Sequence, residues 1–179
     1  MSKMHIIIIG NCGSGKSTLA KKINQKMNYP LLHLDSLWHS TDYSAAAKGW
    51  FSEQQRRFMQ QKNWIIEGNY YDTLPLRLAE ADFIIWLKVG RLTALWRVIK
   101  RSLKFHYDKK SRTEMPSQFS EHFNREYWDF LRFVYSYDER QTEQLVQEKR
   151  QKHSVVLIVK SQRAKDQLQE RLLRLKRLR

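Results

Sequence analysis

The chain has 179 residues, 41 % of them apolar, and carries 33 Lys and Arg against 18 Asp and Glu, a formal charge of +15, with a pI near 10.0 and a mean hydropathy of −0.68. This is one domain's length in a globular composition, and a charge of that size selects an anionic partner: a nucleotide, a nucleic acid or a membrane surface. One cysteine excludes an internal disulfide framework. Apolar runs of at most five residues, such as Val155 to Val159, exclude a membrane span or a signal-peptide core, so a cytoplasmic location is expected.

In chain order, Met4 to Ile9 reads as a parallel strand buried on both faces. A glycine-rich turn follows, then a helix from Lys16 to Met27 with Leu19, Ala20, Ile23 and Met27 at helical spacing. Leu31 to Asp35 and Trp64 to Glu67 are short strands that end in acids, with a helix from Phe51 to Lys62 between them. A helix is expected over Leu74–Ala79, a strand over Phe83–Lys88 and a helix over Leu92–Phe105. One long helix, Glu121–Lys149, carries Phe123, Tyr127, Phe130 or Leu131, and Val134 in a series that buries one face against the sheet. Val155–Lys160 is the last strand, and Ala164–Arg177 the last helix, whose Leu168, Leu172 and Leu175 either pack on the sheet or form an amphipathic face for a surface or partner. Trp64, Trp86 and Trp96 suit core positions. Strands alternating with helices indicate an α/β fold on a parallel sheet, a single domain over residues 1–179.

Gly10-Asn11-Cys12-Gly13-Ser14-Gly15-Lys16-Ser17 is G-x4-G-K-S, a P-loop, set between a strand pattern and a helix pattern as the motif requires. The glycines allow backbone angles and close approach that a Cβ would block. Successive N–H groups and the helix N-terminus then face a phosphate. Lys16 brings an ammonium to the β- and γ-phosphates, and the Ser17 hydroxyl is a Mg²⁺ ligand. Gly10, Cys12, Gly13, Ser14, Gly15, Lys16, Ser17 and Thr18 are the candidate nucleotide-binding residues. Cys12 is either a thiol activated near a helix N-terminus or a small side chain turned away from the phosphate.

Such a loop needs acids at the C-terminal ends of neighbouring strands, where the crevice of an open α/β sheet lies. Asp35 and Glu67 fit, the alternative for each being a solvated or helix-capping acid. His33 and Asp35, two apart on a strand, would share a face, and no third ligand at a metal-site spacing accompanies them. Arg97, Lys100 and Arg101 share a helical face, and Arg112 follows in a polar loop. These arginines either fold over a triphosphate or form a solvated basic face. Charge gathers late: residues 1–90 carry a net +4 and residues 91–179 a net +11. Aromatics among the basic residues from Arg101 to Tyr137 suit either base stacking or core packing.

The string Ile7–Thr18, with His33-Leu34-Asp35, Trp64-Ile65-Ile66-Glu67-Gly68-Asn69-Tyr70, Leu95-Trp96-Arg97-Val98, Arg101, and Arg112 ahead of Met115-Pro116, resembles the bacterial DNA topology modulation (FlaR-type) proteins, P-loop proteins of the adenylate-kinase-like group. The resemblance runs from about Met4 to Arg163. It implies a three-layer P-loop fold with a five-stranded sheet in the order 2-3-1-4-5, a basic lid over about residues 105–118, and ATP or GTP bound with Mg²⁺. Nucleoside monophosphate kinases carry acid-Gly-aromatic-Pro-Arg where this chain has Glu67-Gly68-Asn69-Tyr70-Tyr71. The arginine that grips an acceptor phosphate is absent there, which argues against AMP as acceptor. Lys88 also stands where such relatives often place Asp.

Two functions are expected. In the first, a phosphotransferase acts on a small molecule: Lys16, Asp35, Glu67, Arg97, Arg101 and Arg112 are its catalytic set, with Ser17 and, through water, Glu67 on Mg²⁺. In the alternative, the protein binds DNA or RNA in a nucleotide-dependent way. No helix-turn-helix, zinc finger or RNA-binding signature accompanies the charge.

Overall fold

Alternation along β1 (Met4–Gly10), a strand buried over its full length, divides the core into two layers. The computed structural model describes residues 3–108, 111 and 123–178. On one side of the sheet, Met4, Ile6 and Ile8 pack with Leu19, Ile23 and Met27 of α1 (Lys16–Met27) and with Leu168 and Leu172 of α8 (Gln162–Leu178). On the other, Ile7 and Ile9 meet Phe51 of α3 (Ala45–Met59), Leu74 and Leu78 of α4 (Leu74–Leu78), and Val146 of α7 (Glu139–Lys149). Each fully buried side chain of this size contributes about 1.5–3 kcal/mol of transfer free energy, so the two layers fix the strand's register.

With β2 (Leu31–His33), β3 (Asn63–Glu67), β4 (Phe83–Leu87) and β5 (Val155–Val159), the sheet runs β2-β3-β1-β4-β5. Every pairing is parallel. This is the expected α/β architecture. The chain passes from β1 through α1 to β2 at one edge, and later from β3 across β1 to β4 on the other side; the crevice at such a reversal opens beyond the strands' C-terminal ends. The glycine-rich turn starts there. No helix among the described residues is long and apolar enough to cross a membrane.

Four local expectations change. The strand expected to reach Asp35 stops at His33, and Leu34–His39 forms α2 with His33 extended at its N-cap. β2 pairs only with β3, and an acid in a helix's first turn complements the dipole, so the helix captures Asp35. α3 begins at Ala45 rather than Phe51, because the Ser44 side chain accepts a hydrogen bond from the Ala47 N–H at 3.2 Å and caps an alanine run. The expected helix Glu121–Lys149 is two helices, α6 (Arg125–Ser136) and α7, broken at Tyr137 where the backbone leaves helical angles. Asp138 caps the second by accepting from the Arg140 N–H at 2.9 Å. The apolar series of α6 therefore does not meet the sheet: Tyr127, Leu131 and Val134 pack on Ala94 and Val98 of α5 (Arg91–Tyr107), and Phe123 is exposed.

Trp64 and Trp86 are core residues as expected, but Trp96 is 60 % exposed, on the outer face of α5. The expected lid overlaps the end of α5, where Phe105 is buried. Most of it, with Arg112, lies outside the described residues.

Candidate active site

The turn after β1 is bounded by tight packing. Gly10 (φ 139°) and Gly13 (φ 75°) hold backbone angles that side chains disfavour, and a Cβ would collide with the carbonyls of Leu87 and Ala94. The loop is therefore pressed between the end of β4 and the first turns of α5. Gly15 is the N-cap of α1, with no side-chain cap bond and no acid in the first turn. Its leading N–H groups and dipole are thus left for an anion. Lys16 folds back over the loop, donating from Nζ to the Asn11 carbonyl at 3.1 Å. Asn11 in turn donates from Nδ2 to the Val134 carbonyl at 2.8 Å, which ties the loop to α6.

One cavity of about 610 Å³ is lined by Cys12, Gly13, Gly15, Lys16, Ser17 and Thr18 and also by Asp35, Arg97 and Arg101. Nine candidates from three separated segments thus share a chamber. Arg97 donates from Nη1 to the Gly13 carbonyl at 3.5 Å, while Arg101 Nε is buried without a partner among the described residues. Gly10 and Ser14 are buried under the loop, where they shape it. Glu67 is not among the lining residues: it is 2 % exposed, and its Oε2 lies 2.9 Å from His33 Nδ1. The pairing expected between His33 and Asp35 is replaced by this one, because the parallel register sets His33 beside Glu67 across β2 and β3. Burial, only partly offset by the Lys16 charge, pushes the Cys12 thiol above its usual range.

Several site residues had escaped the sequence reading. Asn69 Oδ1 accepts from the Gly10 N–H at 2.9 Å, joining the β3 exit to the loop. Tyr70 is driven far above the usual phenol range, first by burial and then by the negative charge of nearby Asp35. Beneath these residues Arg77, fully buried, donates to Gln55 Oε1 at 2.6 Å, Thr73 Oγ1 at 2.9 Å, the Gly68 carbonyl at 3.3 Å and the Asn69 carbonyl. Burial lowers its pKa to about 9. From α8, Lys165 donates from Nζ to the Ser14 carbonyl at 3.0 Å, and burial with the nearby Arg97 charge lowers its pKa. The tract Gly68-Asn69-Tyr70 was visible as a string, but its contact with the loop depends on β1 and β3 being neighbours.

No group of three or more His, Cys, Asp and Glu side chains forms a metal cluster among the described residues. A nucleotide-bound Mg²⁺ asks less, one or two protein oxygens with phosphate and water completing the octahedron. The hard oxygen donors here, the Ser17 hydroxyl and Asp35 carboxylate on the cavity wall with Glu67 at the end of β3, fit that ion.

No protein-family model and no curated protein sequence matches the chain. Solved structures do match its fold. A protein provisionally named as a kinase from Chloroflexus aurantiacus superposes with a TM-score of 0.60 at 15 % identity, over 99 % of this chain and 98 % of its own. Shikimate kinase from Acinetobacter baumannii, solved with shikimate, gives 0.56 at 16 %, over 97 % and 92 %. Deoxyadenosine kinase from M. mycoides, solved with dATP, gives 0.53 at 18 %, over 94 % and 98 %. At these identities the likeness establishes a fold of the P-loop kinase type.

Proposed function

We propose that the protein is an ATP- or GTP-dependent phosphotransferase that moves a γ-phosphoryl group to the hydroxyl of a small molecule. The observation that carries this reading is the single chamber onto which both the P-loop lysine and Asp35 open. The N–H groups from Gly13 to Thr18 cradle the phosphates, and Lys16 exchanges the Asn11 carbonyl for the β- and γ-phosphate oxygens. Ser17 and, through water, Glu67 hold Mg²⁺, which neutralises charge on the phosphates. His33 orients the Glu67 carboxylate, as outer-shell partners do for ligands.

Asp35 takes the proton of the acceptor hydroxyl as its oxygen bonds to the γ-phosphorus and the bridging P–O bond breaks, releasing the nucleoside diphosphate. Arg97 and Arg101, with Arg112 on sequence grounds alone, neutralise the charge on the transferred group. Most of the acceleration in such a transfer comes from positioning and electrostatic stabilisation. The segment between α5 and α6 is the proposed lid, within a single domain of residues 1–179. The motif strings resemble those of the DNA topology modulation proteins, and a cytoplasmic location accords with the lone cysteine. The test is ADP release from ATP–Mg²⁺ with a panel of hydroxyl compounds. One compound should stimulate release in the wild type and not in Lys16→Ala; equal rates in the two proteins contradict the reading.

A second reading, nucleotide-dependent binding of DNA or RNA, is favoured by one observation. Trp96 is exposed on α5 with Lys100 Nζ 5.0 Å from its ring centroid, the pairing of stacking surface and cation that single strands use. Its affinity would fall steeply with salt; an absence of binding at about 50 mM salt, where phosphate contacts are strong, removes it.

A further inference from the structure

Beyond the phosphate loop, the chamber is walled by aromatic rings. On α2, Asp35, Trp38 and His39 stand at i, i+3 and i+4, and all three line the cavity. Tyr70 and Tyr71 line it from the loop after β3, and Tyr127, Phe130 and Phe133 line it from α6 at i, i+3 and i+6. These rings come from three elements and share one chamber with the Asp35 carboxylate.

The rings are held in place before any ligand arrives. Trp38 sits edge-on to Phe51 at 5.4 Å between centroids, and Phe51 lies 4.9 Å from Tyr70. His39 Nδ1 is 2.9 Å from the Tyr43 hydroxyl. Tyr71 Oη and Thr142 Oγ1 are 2.7 Å apart. A surface this fixed loses little conformational entropy on binding, and flat rings gain most from a flat ligand.

Charge narrows the class further. Of the cations that line the cavity among the described residues, Lys16 and Arg97 are turned onto carbonyls of the phosphate loop, which leaves Arg101. Near Asp35 an acceptor's own phosphate or carboxylate would meet a negative charge. Polar side chains stand beside the rings in the chamber wall, Asn69 and His39 among them. A few polar groups in an otherwise apolar wall fix a ligand's orientation, and a ring bearing heteroatoms offers them partners where a plain hydrocarbon ring does not.

We infer that the acceptor is an uncharged, planar heteroaromatic compound carrying a hydroxyl, a molecule of the nucleoside class. Its ring lies against Trp38 and the α6 aromatics, and its hydroxyl faces Asp35. This rests on the phosphotransferase reading of the chamber, and adds to it the chemistry of the acceptor end.

The experiment is calorimetric titration of the full chain, saturated with AMP-PNP and Mg²⁺, with adenosine, guanosine, cytidine and uridine, and with gluconate and sorbitol as flexible non-aromatic polyols. ADP formation from ATP is measured with the same six compounds. At least one nucleoside should bind at least tenfold more tightly than either polyol and should stimulate ADP formation. Trp38→Ala should weaken that nucleoside about tenfold or more, the scale of a lost base stack. Trp38→Phe should restore most of it, with AMP-PNP affinity unchanged in both variants as evidence that the fold is intact. Stimulation by a polyol alone, no nucleoside binding, or nucleoside binding indifferent to Trp38→Ala overturns the inference. AMP-PNP affinity separates the two levels: if it binds and no nucleoside does, the acceptor class is wrong. If AMP-PNP does not bind, the phosphotransferase reading itself fails.

Discussion

Asn69 Oδ1 accepts a hydrogen bond from the Gly10 N–H at 2.9 Å, so the first residue of the phosphate loop is held by the turn that follows β3. Gly10 is buried at the end of β1, so its N–H depends on a protein acceptor rather than on water. Removal of the acceptor leaves a buried donor unsatisfied, at a cost of about 1–3 kcal/mol. Asn69→Ala should lose stability of that order in urea unfolding and bind ATP more weakly, while Asn69→Asp, which retains an acceptor, should recover part of both. Wild-type behaviour in Asn69→Ala would show that the tie carries no weight.

Arg77 supports the same turn from below. Its guanidinium is fully buried among Gln55, Thr73 and the carbonyls of Gly68 and Asn69. With none of these partners charged, the cation depends on neutral acceptors, and burial holds its pKa near 9. Arg77→Met removes the charge but strands four acceptors. The net loss should be on the order of 3 kcal/mol, since orphaned buried groups outweigh a relieved desolvation cost. A variant as stable as the wild type by thermal and urea unfolding contradicts this.

In the proposed mechanism Glu67 acts on Mg²⁺ through its charge, and its Oε2 lies 2.9 Å from His33 Nδ1. Glu67→Gln keeps the size and a partner for His33 but loses the charge. Acceptor-dependent ADP formation should fall at least tenfold, and the Mg²⁺ concentration giving half-maximal rate should rise. An unchanged Mg²⁺ titration would assign Glu67 to the packing of β3 instead.

Cys12, the chain's one cysteine, reports on the loop. Burial raises its thiol pKa, so at pH 8 its thiolate fraction is below that of free cysteine, and the thiolate is the reactive form. Alkylation by iodoacetamide at pH 8 should be slower than for free cysteine. Its rate should keep rising with pH after that of free cysteine has levelled, and saturating ATP should slow it further. A rate equal to that of free cysteine would place the thiol in an ordinary solvent environment.

What was legible in the sequence followed chain contiguity. The P-loop is one uninterrupted string, and β1, β3, β4 and β5 are short apolar runs, so their types and places were readable. The sheet order came only through resemblance. Asp35 was assigned to the site but to the wrong element, since Leu34-Asp35 continues an apolar run that ends locally because β2 has one strand neighbour. The His33–Glu67 pair and the reach of Lys165 from α8 to Ser14 join residues 34 and 151 positions apart, which no local pattern encodes. Trp96 follows helical spacing, yet the core-facing stripe of α5 is Ala94, Val98, Ser102 and Phe105. Helical periodicity continues on both sides of Tyr137, so the break there, capped by Asp138 accepting from the Arg140 N–H, was not read.

The central claim is that the Gly10–Thr18 loop binds the phosphates of a nucleoside triphosphate at the head of this chamber. Calorimetric titration of ATP–Mg²⁺ into wild type and Lys16→Ala tests it most directly. The account predicts saturable one-to-one binding by the wild type, weakened tenfold or more in Lys16→Ala while its thermal unfolding stays close to that of the wild type. Equal affinity in the two proteins, or no binding by either, contradicts it.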